Sequence, residues 1–104
     1  MSGKDPKVRV IARRTLREFW EKHPDSEEPL KAWFHETEKA SWISFNELKA
    51  DYPSASILKG KKVIFNIKGN KYRLVVKMNF DFGITWILFI GTHAEYDKLD
   101  INNL

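Results

Sequence analysis

The sequence contains no cysteine, so it forms no disulfide or zinc–thiolate site and offers no cysteine nucleophile. It also lacks any apolar run near the ~18 residues of a membrane span, because its longest such stretch, residues 84–91, has the length of a strand. The start of the chain is polar and is unlike a signal peptide. With 104 residues, 42% of them hydrophobic, we expect one soluble domain in the cytoplasm.

Acidic residues are missing from residues 52–80, although the whole chain has 14 of them beside 18 lysines and arginines. The basic residues of this stretch are Lys59, Lys61, Lys62, Lys68, Lys71, Arg73 and Lys77. A second basic group lies near the start of the chain, at Lys7, Arg9, Arg13, Arg14 and Arg17. Segregated positive charge is typical of proteins that bind a phosphate backbone. The alternative is a lysine-rich edge strand whose charge prevents aggregation.

The first half of the chain predicts one short strand followed by two or three helices. Residues 8–12 alternate as a strand does, and apolar residues then recur at helical spacing around residues 16–23 and 30–37. Three motifs predict capping boxes at helix starts: Thr15-x-x-Glu18, Asp25-x-x-Glu28 and Ser44-x-x-Glu47.

The second half changes to a period of two, which predicts strands over residues 62–67, 71–78 and 84–91. Turn residues at 68–70 and 81–83 join these strands into an antiparallel meander. A capping box, Thr92-x-x-Glu95, then starts a short helix that runs to residue 99. Helices packed on one face of such a sheet make the predicted fold α+β.

One face of the predicted strand 71–78 carries basic residues. Since successive side chains alternate between faces, Lys71, Arg73 and Lys77 share the face that points away from the helices. Arg73 and Lys77 then stand about 13 Å apart, at a rise of ~3.3 Å per residue, and suit neighbouring phosphates of one nucleic-acid strand. A solvated face without function is the alternative.

We expect two further features at the same end of the sheet. With Thr92 as the N-cap, His93 and Tyr96 lie on one side of the first helical turn, where an imidazole and a phenol can transfer protons. The free N–H groups and dipole of that turn favour a phosphate. The second feature is the lysine group Lys59, Lys61 and Lys62. The alternatives are a structural hydrogen bond at His93 and a solvated lysine loop.

The sequence predicts neither a metal nor a cofactor. Its histidines lie in separate elements, and none has the spacing of a metal ligand. No glycine-rich loop that would cradle a phosphate is present.

Three segments, in order, resemble a known family: residues 10–20, residues 63–74 with Phe-Asn-Ile-x-Gly-Asn-x-Tyr-Arg, and residues 91–97 with Thr-His-x-Glu-Tyr-Asp. They resemble the HigB toxins of bacterial type II toxin–antitoxin modules. The likeness implies one domain over residues 8–99, preceded by an extension over residues 1–7 and followed by a polar tail over residues 100–104. It also implies a RelE-like fold and an endoribonuclease that cuts mRNA, commonly in the ribosome.

The resemblance further implies a cleavage without metal, in which the 2′-hydroxyl of RNA attacks the adjacent phosphate. The matching catalytic positions are Arg73, Lys77, His93 and Tyr96, and no carboxylate stands out as the base. We expect Lys59, Lys61, Lys62 and Lys71 to hold RNA. The implied partner is a HigA-type helix-turn-helix antitoxin, which neutralises the toxin and represses the shared operon with it, so that operator DNA is contacted only through the antitoxin.

Two other readings remain open at this point. A non-catalytic RNA- or DNA-binding domain would use the same basic face and produce no new RNA ends. An interaction module would dock that face on an acidic protein, with no RNA involved. A neighbouring gene for a helix-turn-helix protein favours the toxin over both.

Overall fold

A computed structural model describes residues 9–104, so the predicted extension over residues 1–7 lies outside the described residues. The helices are α1 (Arg13–Lys22), α2 (Glu27–Lys39), α3 (Phe45–Asp51) and α4 (His93–Asp97). The strands are β1 (Arg9–Ile11), β2 (Ser56–Leu58), β3 (Lys62–Ile67), β4 (Tyr72–Asn79) and β5 (Ile84–Thr92). The predicted α+β class, with an N-terminal strand and a short C-terminal helix, is confirmed.

The strands form one mixed sheet in the order β1-β5-β4-β3-β2. The meander of β3, β4 and β5 is antiparallel, as predicted. β1 joins the free edge of β5 in parallel, which the long connection between them allows. β2, which the sequence analysis missed, pairs with β3 at the other edge and has only three residues.

The core lies between the helices and one face of the sheet. Leu16 of α1 and Leu30 of α2 are fully buried against it. The inner face of β4 is wholly buried and consists of Tyr72, Leu74, Val76 and Met78, as the alternation predicted. We call the opposite side of the sheet the outer face; it carries Arg73 and Lys77 of β4.

Two of the predicted capping boxes are wrong. Thr15 lies inside α1, whose N-cap is Ala12 in the left-handed conformation (φ 73°) without a side-chain cap. Asp25 lies in a short 3-10 turn before α2, and its carboxylate bonds elsewhere. Ser44 and Thr92 do cap their helices, because each hydroxyl accepts a hydrogen bond from the amide three residues on. The box is complete at Thr92, whereas Glu47 accepts from the Ile43 amide instead of that of Ser44.

The end of the chain packs on the molecule. α4 ends at Asp97, two residues earlier than predicted, and a short 3-10 helix follows over Ile101–Asn103. The Lys62 ammonium group donates to the carbonyl of Ile101 at 3.0 Å, which fastens the predicted polar tail to β3. No helix among the described residues has the length and apolar character needed to cross a membrane.

Candidate active site

The first turn of α4 is fixed to the sheet by hydrogen bonds. Thr92 Oγ1 accepts from the Glu95 amide at 3.1 Å, and the Glu95 carboxylate accepts from the Thr92 amide at 2.8 Å. The His93 amide donates to the Lys71 carbonyl at 3.3 Å, across the end of β4. The amides of Thr92, His93 and Glu95 are therefore occupied, so the expectation that the N–H groups of this turn are free for a phosphate is wrong for these three. The side chains of the site supply further donors for a phosphate.

Gly91 allows β5 to run into this turn. A Cβ atom there would lie 2.5 Å from Phe89 Cζ and 2.8 Å from Glu95 Oε1, closer than real contacts allow. The missing side chain thus leaves room both for the Phe89 ring and for the carboxylate that caps α4. It also leaves the position opposite Gly91, that of Arg73, open on the outer face.

Arg73, His93, Tyr96 and Asp97 come together beside Gly91, and we call these four residues the Arg73 cluster. Arg73 Nη2 donates to His93 Nε2 at 2.9 Å. The guanidinium carbon lies 5.1 Å from the centre of the Tyr96 ring, within cation–π distance. His93, Tyr96 and Asp97 share one side of α4 because they are three and four residues apart. The structure therefore brings together three of the four predicted catalytic residues.

The hydrogen bonds of His93 indicate which ring nitrogen carries the proton of the neutral imidazole. A guanidinium group has donors only, so His93 Nε2 must be the acceptor of the bond from Arg73. The ring proton of the neutral imidazole then lies on Nδ1, 3.2 Å from Asp97 Oδ2, which accepts it. A carboxylate that orients one nitrogen and leaves the other basic is the arrangement that general-base catalysis by histidine requires.

The cluster also has unused hydrogen-bonding capacity. Arg73 Nε is buried without a partner among the described residues, and so is Oδ1 of Asn66, which pairs with Arg73 in the β3–β4 register. Buried polar atoms without partners are costly, so an anion that accepts from Nε would recover stability. No role is predicted for Asn66 or Asp97 from the sequence, although the four-residue spacing of Asp97 from His93 on a helix indicates their contact.

Lys77 and the lysine group lie away from the Arg73 cluster. The antiparallel register places Lys62 opposite Lys77, whereas Arg73 lies opposite Asn66. The hairpin of β3 and β4 therefore has Arg73 at one end and the lysine group at the other. The expectation that Lys59, Lys61 and Lys62 share an end of the sheet with His93 is wrong. Lys77 is exposed on the outer face, about 13 Å along β4 from Arg73.

Two of the predicted RNA-binding lysines already have partners. Lys62 bonds the tail carbonyl, and Lys71 forms an ion pair of 2.5 Å with Asp25. Hydrogen bonds from Lys71 and from the Tyr72 hydroxyl lower the pKa of Asp25 below its ordinary value, and the same ion pair raises the pKa of Lys71. Lys71 therefore serves to hold the hairpin to the turn before α2 in this structure.

Metal ligands do not gather at the site. Within the part of the chain that the structure describes, no three histidine, aspartate or glutamate side chains come close enough to hold a metal ion. The chemistry available to the cluster is that of a guanidinium, an imidazole oriented by a carboxylate, and a phenol.

Comparison with known proteins identifies the family of the chain. The chain is similar to the “mRNA interferase toxin HigB” of Escherichia coli K12 and to the “mRNA interferase HigB” of Shigella flexneri, each 30% identical over 92 residues, which are 86% of this chain and 88% of the relative. It is 23% identical over 94 residues to the “mRNA interferase HigB” of Escherichia coli O6:H1, covering 88% of this chain and 91% of that protein. A sequence model of the HigB_toxin family, described as the RelE-like toxic component of a toxin–antitoxin system, matches residues 26–99. The chain therefore belongs to the HigB toxin family.

Proposed function

We propose that this toxin is an endoribonuclease that cuts mRNA, and that the Arg73 cluster is its active site. The observation that carries the proposal is the contact of Arg73 with His93, which joins a phosphate-binding group to a proton-transfer group on an open surface. The relatives called mRNA interferases support mRNA as the substrate.

In the proposed reaction the RNA supplies its own nucleophile. The 2′-oxygen attacks the adjacent phosphorus, the bond to the 5′-oxygen breaks, and the products are a 2′,3′-cyclic phosphate and a 5′-hydroxyl end. His93 Nε2 takes the proton of the 2′-hydroxyl once Arg73 turns from the imidazole to the phosphate. Asp97 keeps the ring oriented and stabilises the imidazolium that forms.

Arg73 and Tyr96 act on the phosphate and the leaving group. The planar guanidinium donates two parallel hydrogen bonds to phosphate oxygens as charge develops in the transition state. The Tyr96 ring supports the guanidinium, and its hydroxyl donates a proton to the leaving 5′-oxygen. No step needs a metal ion, because nucleophile, base, acid and charge stabilisation all come from the RNA and the protein.

The remaining predicted residues bind RNA outside the scissile group. Lys77 holds a neighbouring phosphate on the outer face, and the lysine group continues the positive surface at the far end of the hairpin. Lys71 contributes charge beside the cluster while bonded to Asp25. The cluster is open, with the His93 side chain 46% exposed, so the protein alone holds RNA loosely. We propose that the ribosome supplies the in-line geometry.

The family also provides the partners. A toxin of such a system has an antitoxin, which we propose is a HigA-type helix-turn-helix protein that also carries the toxin to operator DNA. Cleavage of translated mRNA places its action in the cytoplasm.

Induced expression in bacteria tests the proposal, with growth and mapped RNA 5′ ends as readouts. We expect the wild-type chain to arrest growth and create new ends, and His93→Ala to abolish both while its circular dichroism spectrum is unchanged. His35→Ala, which removes an exposed histidine on α2, is the matched control and should remain toxic. Full activity of a folded His93→Ala variant contradicts the proposed site. RNA binding by the wild-type chain without new ends would favour the non-catalytic binding domain instead.

A further inference from the structure

The outer face continues from the Arg73 cluster as a row of basic and aromatic side chains. Three cross-strand pairs of β4 and β5 form this row, namely Arg73 with Gly91, Val75 with Phe89, and Lys77 with Trp86. Phe89 and Trp86 are both partly exposed. Alternating positive and aromatic groups along one groove are the feature by which proteins bind single-stranded nucleic acid.

Trp86 does not belong to the core under the helices. Its neighbour Ile87 points into that core, whereas the Trp86 indole lies on the opposite face beside Lys77. The two side chains line an open cavity of about 300 Å³, together with Ala12, Ile87 and Leu88. A large aromatic ring at the mouth of a cavity, with a lysine next to it, has room for a flat ligand that carries negative charge.

Lys77 is available for such a ligand. Among the described residues it has no ion-pair or hydrogen-bond partner, and its cross-strand neighbour on the other side is another lysine, Lys62. Like charges directly opposite each other destabilise a sheet, so an anion bound between or beside them is favourable. The same face leads to Arg73 past the Phe89 ring and the buried Val75, across a register shift between Val75 and Val76.

We propose that Trp86 and Lys77 form a subsite for a nucleotide that flanks the cleaved phosphate. The indole stacks on the base and the ammonium group binds the phosphate, about 13 Å along the strand from Arg73. The inference rests on the proposed function, and its ligand is single-stranded RNA. Continuity with the Arg73 cluster favours RNA over an acidic segment of the antitoxin.

Binding of a 2′-O-methylated single-stranded RNA of about 12 nucleotides tests the subsite, because the blocked 2′-oxygen prevents cleavage. We expect Trp86→Ala to raise the Kd about 5- to 150-fold, the effect of losing one base stack, and Trp86→Phe to restore most of the affinity. Lys77→Ala should reduce the slope of log Kd against log salt by about 0.7. Exposed residues away from the row provide the controls Phe82→Ala and Lys39→Ala, which should bind as the wild type does.

An unchanged Kd in both Trp86→Ala and Lys77→Ala overturns the proposal, and Lys77→Ala decides the matter if Trp86→Ala does not fold. A loss of antitoxin affinity in these variants with unchanged RNA affinity also overturns it, since the patch would then belong to the protein partner. Cleavage of unmodified mRNA by the wild type separates the two hypotheses. If the wild type cuts mRNA while the Trp86→Ala and Lys77→Ala variants bind RNA normally, the proposed subsite is wrong and the proposed nuclease stands. If the wild type never cuts mRNA while RNA binding depends on Trp86, the proposed nuclease is wrong and the subsite stands.

Discussion

The His93 imidazole lies between the Arg73 guanidinium and the Asp97 carboxylate, and each of them bonds one of its ring nitrogens. Arg73 accounts for the acceptor character of Nε2, and Asp97 accounts for the proton on Nδ1. In the proposed RNA complex Arg73 turns to the phosphate, so Asp97 alone would then maintain the imidazole in its reactive orientation. The proposal therefore makes Asp97 a positioning residue for His93.

Replacing Asp97 with alanine should lower kcat about 10-fold or more and leave KM nearly unchanged, because RNA binding does not involve this carboxylate. Nitrogen NMR of the His93 ring should show a mixture of tautomers in an Arg73→Ala, Asp97→Ala double variant, where neither partner remains. Asp81→Asn, an exposed acid in the β4–β5 turn, is the control. An unchanged kcat in Asp97→Ala would remove Asp97 from the mechanism.

Gly91 is the residue whose substitution should disturb the site without touching any reacting group. In Gly91→Ala the new Cβ meets the Phe89 ring and the Glu95 carboxylate, so β5 and the α4 cap must shift. We expect a loss of about 1–3 kcal/mol in the free energy of unfolding, measured in urea, together with reduced cleavage. A Gly91→Ala variant as stable as the wild type would show that Phe89 and Glu95 can move aside without loss of stability.

Single residues of the site differ in how far the sequence could predict them. The alternation of side chains along β4 and the capping motif at Thr92 predict that Arg73 and His93 lie near each other. Both patterns depend on local geometry, which the sequence records. The pairing of Lys71 with Asp25 was not foreseeable, since 46 residues separate them in the chain. A count of charged residues cannot show that the Lys71 ammonium group is already paired with Asp25 in the folded protein.

At the scale of elements, Asp25 connects the turn before α2 to the start of β4. Its carboxylate accepts from the Tyr72 hydroxyl at 2.5 Å and from the Lys71 ammonium group. These contacts lower the pKa of Asp25, so the ionised form is the one that stabilises the fold. The stabilisation is complete well above the ordinary carboxyl pKa of 3.8 and is lost as the pH falls through the lower folded value.

Asp25→Asn should therefore lower the urea midpoint at pH 7 and lose most of this difference from the wild type at acidic pH, where Asp25 itself becomes protonated. Urea unfolding at both pH values measures the effect. Glu27→Gln breaks an exposed ion pair with Lys31 one helical turn apart and should change little, which makes it the control. A difference that is equally large in acid would mean that the charge of Asp25 does not matter.

The same elements show why local patterns predict some boundaries and not others. The motif at Asp25 matches those at Ser44 and Thr92, but its carboxylate finds better donors across the molecule. α1 begins after Ala12, whose left-handed backbone conformation turns the chain away from β1. No capping motif in the sequence indicates this start. The parallel pairing of β1 with β5 joins the two ends of the chain, and periodicity carries no information about such contacts.

At the scale of the whole molecule, the positive charge spans two ends of one hairpin. The Arg73 cluster, the proposed active site, lies at one end, and Lys59 and Lys61 lie beyond Lys77 at the other end. The charged stretch is evident from the sequence, but the ends at which its lysines lie are not, because the antiparallel register decides which end each lysine occupies.

Removing the charges of Lys59 and Lys61 together should weaken RNA binding without slowing the chemical step. We expect the slope of log Kd against log salt to fall by about 1.4 in the double alanine variant, since each phosphate contact on a single strand contributes about 0.7. Binding of the 2′-O-methylated RNA across a salt series measures the slope, and single-turnover cleavage measures the step. A slope equal to that of the wild type would place these lysines off the RNA path.

The chemistry of the cut ends tests the central claim most directly. Translating ribosomes carrying a defined mRNA are treated with the toxin, and the ends at the cut are identified by mass spectrometry. Attack by the 2′-oxygen predicts a 2′,3′-cyclic phosphate and a 5′-hydroxyl, and no cut when the nucleotide before the site is 2′-deoxy. A 5′-phosphate end, or cleavage of the 2′-deoxy mRNA, would contradict catalysis by the Arg73 cluster as described.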